Sequence, residues 1–81
     1  MYIEFRLPSG AGGAAAGMAL GQIRKDLETW IQKYSIQNYR TKIHKYTYRL
    51  SLSDSKAYTH FALTWEPRHT ASKNFSFVNP K

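Results

Sequence analysis

The chain has 81 residues, with 12 Lys and Arg against 5 Asp and Glu for a formal charge of +7, and 42% apolar and 15% aromatic content. That length fits one small domain, 1–81, with a single core, and that apolar content is far from the composition of disorder. The absence of cysteine rules out disulfide stapling and thiolate zinc sites, and no stretch is long or apolar enough to cross a bilayer, so the expectation is a cytoplasmic protein without a membrane partner.

Residues 2 to 7 alternate, with Ile3, Phe5 and Leu7 on one side and Tyr2, Glu4 and Arg6 on the other, which is the period of a half-buried strand. Glu4, Arg6 and Pro8 interrupt the apolar run after Met1 and no basic leader precedes it, which argues against a secretory signal. All five glycines fall between Ser9 and Gly21 among alanines, and this segment, 9–21, is expected to be a mobile loop that becomes the start of a helix. Gly10, Gly12 and Ala15 fit a GxGxxA pattern, but the chain lacks the further β-α units and the acidic residue that dinucleotide binding needs. Gly12 and Gly17 are spaced as in a phosphate loop, with Met18 and Ala19 where Lys and Ser or Thr belong. Gly13, Gly17 and Gly21 would form a smooth stripe on a helix, suited to close packing on a sheet, to simple flexibility, or to ordering on a partner.

Leu20, Ile23, Leu27, Trp30, Ile31 and Tyr34 recur at three and four, which predicts an amphipathic helix with Arg24 and Glu28 spaced to pair on its flank. A long strand is predicted from Tyr39 to Ser53, with a change of phase. Tyr46, Tyr48, Leu50 and Leu52 share one face and Ile43 the other, so either a bulge lies near His44 and Lys45 or the first half projects past the sheet. Residues Ser53 to Lys56 read as a hairpin turn leading into a return strand, Ala57 to Trp65, with Ala57, Phe61, Leu63 and Trp65 inward and Tyr58, His60, Thr64 and Glu66 outward. Segment 67–81 supplies a short final strand, Asn74 to Val78, and a tail. The expected class is α+β in the order β-α-β-β-β, with one amphipathic helix on one face of a mostly antiparallel sheet.

Between Glu28 and Asp54 there is no acid, yet Lys33, Arg40, Lys42, Lys45 and Arg49 stand there among Trp30, Tyr34, Tyr39, Tyr46 and Tyr48. Such a stretch fits a polyanion or an acidic protein surface. On the alternation above, Tyr2, Arg6, Lys45, Arg49, Tyr58 and His60 would share the uncovered sheet face, with Lys33, Arg40 and Lys42 extending the positive field. The reading is a non-catalytic basic protein that contacts nucleic acid, as RNA or single strands, through that face and a strand extension. A second reading is an inhibitor of the kind carried by phages and mobile elements, docking on an acidic surface of a host nucleic-acid-processing complex in an anti-CRISPR-like role. A third is a small metal-independent ribonuclease using His60 or His44 with Tyr58. The spacing of His44, His60 and His69 offers no metal-ligand pair, and no cofactor is implied.

Lys73, Phe75, Phe77 and Val78 resemble the RNA-recognition-motif signature; Asn74 and Ser76 depart from it, and Pro80 replaces its final aromatic. The resemblance covers six residues at the C-terminal end, where the second helix and last strand of that family would have no room to follow. It implies a stacking role only if Phe75 and Phe77 are exposed.

Overall fold

The computed structural model of the chain describes residues 1–8 and 13–79. The Ser9 to Gly12 part of the glycine-rich segment, with its GxGxxA residues Gly10 and Gly12, lies outside the described residues, as do Pro80 and Lys81. The elements are β1 (Tyr2–Arg6), α1 (Ala14–Lys33), β2 (Arg40–His44), β3 (Thr47–Ser51), α2 (Ser55–Thr64), a 3-10 turn (Thr70–Lys73) and β4 (Phe75–Val78). The sheet is antiparallel, in the order β2-β3-β1-β4. With the helices inserted as β-α-β-β-α-β, this is the split β-α-β, or ferredoxin-like, arrangement.

The α+β class and the main helix on an antiparallel sheet stand, and four strands form, but two of them come from the single stretch 39–53 and none from 57–65. The long strand 39–53 is a hairpin. His44 and Thr47 face each other at the end of the ladder, and Lys45 and Tyr46 make the two-residue connection, with Lys45 at φ 54°. Backbone of positive φ is what such tight connections require, and an Asn-Gly or Asp-Gly pair would have announced it. The apparent change of phase was the turn itself, so Tyr46 is exposed rather than in the core.

The expected return strand, 57–65, is helix α2. Asp54 is its N-cap, and the carboxylate Oδ1 accepts from the Ala57 N–H at 2.9 Å. Asp and Ser serve both turns and helix caps, so the signal at 53–56 has two readings. In the helix Tyr58 and Phe61 turn inward while Leu63 is left exposed.

Both helices cover the same side of the sheet. Ile3, Phe5, Leu7, Tyr48, Leu50 and Leu52 meet Ala19, Ile23, Leu27 and Trp30 of α1 and Tyr58 and Phe61 of α2 in one core cluster. Aromatic rings fill its centre: Phe5 lies within 6.5 Å of Tyr48, Phe61, Trp65 and Phe75, and Phe61 stacks on Trp65 at 4.7 Å. Phe75 and Phe77 point to this helix side, edge-on to Phe61 at 5.6 and 6.2 Å. Phe77 is partly exposed there, so neither ring offers a stacking surface on the uncovered face.

The ends of α1 are set by the backbone. Tyr34 is its C-cap, Ser35 adopts φ 51°, and the Ser35 and Ile36 N–H groups donate to Gln32 O and Ile31 O. This is a Schellman closure with serine where glycine is usual. Along the helix, a Cβ built on Gly17 or Gly21 would meet nothing within 4 Å, so the small-residue stripe does not pack closely on the sheet. Arg24 lies over the Tyr48 ring at 5.7 Å and Glu28 accepts from Gln32, in place of the expected Arg24–Glu28 pair.

Candidate nucleic-acid interface

Strand register determines what the uncovered face contains. Ile3 and Phe5 are fully buried under the helices, so their neighbours Tyr2, Glu4 and Arg6 point the other way. Residues directly paired across antiparallel strands share a face. Glu4 pairs with Arg49, Arg49 with Lys42, and Glu4 on its other side with Ser76, giving a transverse row Lys42, Arg49, Glu4, Ser76. The row beside it holds His44, Thr47 and Arg6. On the opposite side, Arg40 pairs with Ser51 and Tyr2 with Val78.

This face therefore gathers Arg6, Arg40, Lys42 and Arg49 around one carboxylate, Glu4, and no described helix packs on it. Arg49 sits at its middle. Its Nε is 3.4 Å from Glu4 Oε2, and its guanidinium lies 4.8 Å from the centre of the Tyr2 ring. A partly exposed ion pair of this kind contributes about 0–1 kcal/mol, so it orients Arg49 more than it stabilises the fold. Strand β2 is the outer strand of the sheet, exposed along all five residues. The anticipated strand extension is thus an edge strand within the sheet. Its helix-side flank is also poorly covered: Thr41 and Tyr39 border a groove of about 470 Å³ against Leu27 and Ile31 of α1.

Four expected contributors lie elsewhere. Lys45 is in the β2–β3 turn, at the end of the face rather than on it. Tyr58 and His60 belong to α2, on the opposite side of the sheet. The Tyr58 hydroxyl is committed to the core, donating to Met1 O and accepting from Leu52 N–H. His60 packs against Tyr34 at 4.8 Å and Trp30 at 5.8 Å. Lys33 also lies in the helix layer, its ammonium 5.5 Å from the Tyr34 ring. The acid-base pairing of Tyr58 with His60 or His44 is consequently not assembled, since His44 is on the uncovered face.

One polar cluster escaped the sequence reading because its members are 42 to 46 residues apart. The Asp26 carboxylate, almost fully buried on α1, accepts from the backbone N–H groups of Arg68 and His69 and meets His69 Nδ1, each at 3.0 Å. Burial pushes the Asp26 carboxyl up, but the nearby Ser72 hydroxyl, both His69 groups and the Arg68 N–H together hold it below its ordinary value. Ser72 Oγ itself makes no hydrogen bond of good geometry and acts as a neighbouring dipole. No hydroxyl hydrogen-bonds to His69 among the described residues, so the arrangement clamps the 67–73 connection to α1. Among the described residues no group of three His, Asp or Glu side chains could hold a metal ion, and no helix is long and apolar enough to cross a membrane.

Comparison of the chain with protein-family models, with curated proteins and with solved structures finds no match. A ferredoxin-like order hosts many unrelated activities, so function has to be argued from the face itself.

Proposed function

We propose that this protein is a non-catalytic binding protein for single-stranded nucleic acid, held on the uncovered face of its sheet. One observation supports the reading above the rest: strand pairing brings Arg6, Arg40, Lys42 and Arg49, from three different strands, onto one face beside the Tyr2 ring. Cations hold phosphates and aromatic or guanidinium planes stack on bases, and the two together are the usual equipment of single-strand binding.

Dimensions favour a single strand over a duplex. Four strands spaced about 4.8 Å apart make a face about 14 Å wide, whereas the major groove of about 12 Å admits only a helix or a two-stranded ribbon. Arg40 and Lys42 are one pleat repeat apart on β2, about 6.8 Å, a separation that suits consecutive phosphates of an extended strand. Bases would then lie inward across β3 and β1, over Arg49 and Tyr2.

Fluorescence anisotropy with labelled single-stranded RNA, single-stranded DNA and a duplex, at low and rising salt, tests this. Both single strands should bind more tightly than the duplex, with log K falling against log salt by about 0.7 per phosphate held. Replacing Lys42 by Gln should weaken binding to all sequences and flatten that slope. A protein that binds none of these at low salt refutes the reading and points to an acidic protein surface as the partner.

A further inference from the structure

On a face that attracts phosphates, a central carboxylate is out of place unless it is used. We propose that Glu4 reads the base, accepting a hydrogen bond from the exocyclic amino group of a cytosine or adenine stacked beside it; the inference rests on the nucleic-acid reading above.

Glu4 occupies the middle of the central row, flanked by Arg49 on β3 and Ser76 on β4. Its side chain is one-fifth exposed, and none of the described residues donates a hydrogen bond to it. Arg49 Nε approaches to 3.4 Å, but it is shielded from solvent and makes no hydrogen bond of good geometry. Charge alone holds the pair, and the carboxylate keeps lone pairs for a ligand.

Tyr2 is the next residue of β1 on the same face, about 6.8 Å along the strand. The Arg49 guanidinium lies over the Tyr2 ring, 4.8 Å from its centre, and Arg49 Nε stands 3.4 Å from Glu4 Oε2, so the guanidinium adjoins both the ring and the carboxylate. A base stacked against the Arg49 guanidinium turns an edge toward Glu4. An ionised carboxylate can only accept, and the amino group of cytosine is its natural donor. Uracil offers one ring N–H between two carbonyl oxygens, both of which the carboxylate repels. Glu4 thus converts a sequence-tolerant stacking surface into one that favours amino-bearing bases.

Cytosine and uracil have the same ring size, so comparing them separates reading from stacking. Labelled oligoribonucleotides of C, of U and of N4,N4-dimethylcytidine would be titrated at neutral pH and fixed salt. The C oligomer should bind roughly tenfold more tightly than the other two, as expected for one charge-assisted hydrogen bond. Glu4→Leu, which leaves no acceptor, should erase that preference while binding the U oligomer at least as tightly as before, because a repelling charge is gone. Equal wild-type affinities for C and U, with both bound, would overturn the role of Glu4 and leave single-strand binding intact. A preference for C that survives Glu4→Leu would overturn it as well. No binding of any oligomer would overturn both.

Discussion

Asp26→Asn is the substitution whose cost the structure specifies most closely. It keeps the shape of the side chain but removes its charge and puts an amide NH2 where donors already point. The Arg68 and His69 N–H groups and the His69 ring all converge on the carboxylate at 3.0 Å, in a site almost closed to water. Hydrogen bonds to a charged group contribute about 1.5–3 kcal/mol net, and a buried donor left unpaired costs about 1–3 kcal/mol. Since Asn can still accept one of the three, the expected loss is about 3 kcal/mol. A domain of this size has a total stability of about 4–12 kcal/mol, so the loss is large. In urea, with a slope of roughly 1 kcal/mol per molar for a small protein, the midpoint should fall by about 2–3 M.

The pH dependence carries a sign that checks the mechanism. Because the folded Asp26 carboxyl lies below its ordinary value, its contribution is complete above the unfolded carboxyl's pKa and disappears as pH falls through the folded one. The gap between the native protein and Asp26→Asn should therefore be widest near neutrality and close on acidification. His69→Ala, which leaves both backbone donors in place, should cost only about 1 kcal/mol and provides a folded control. An Asp26→Asn protein within about 0.5 kcal/mol of the native one, or a gap that persists in strong acid, would refute the clamp.

Two further substitutions test local geometry. Ser35→Gly should raise the thermal midpoint, because the left-handed backbone at φ 51° costs a residue with a Cβ about 1 kcal/mol that glycine avoids. Tyr58→Phe should lose about 1–2 kcal/mol, measured by thermal or urea unfolding, because the Met1 carbonyl and the Leu52 N–H both lose their hydroxyl partner.

Elements with a clean period were legible in the sequence. The alternation of 2–7 and the three-four spacing of Leu20 to Tyr34 describe β1 and α1 to within a few residues. What escaped depends on signals that serve two structures. Ser53 to Lys56 suits a hairpin turn or a helix cap, and burial of Tyr58 and Phe61 in the core, with Phe61 against Phe5, decides for the helix. Lys45 and Tyr46 carry no turn signal, so the hairpin had to be recognised from a change of phase. The candidate face was half legible: Arg6, Arg40, Lys42 and Arg49 lie where a basic sheet face needs them. Tyr58 and His60 left it once their strand proved to be a helix. Tyr2 was placed correctly, while its stack with Arg49 and the Glu4–Arg49 contact depend on register between β1 and β3, which no local pattern encodes. The Asp26 clamp joins residues more than forty positions apart and has no local signature.

The most direct test of the account is amide chemical-shift mapping of the isotope-labelled protein titrated with single-stranded RNA at low salt. Perturbed amides should cluster in Arg40–His44, Thr47–Ser51 and Tyr2–Arg6, with Ser55–Thr64 and the outer face of Ala14–Lys33 unchanged. Shifts confined to the helices, or none at all, would contradict the claim that the uncovered sheet face is the binding surface.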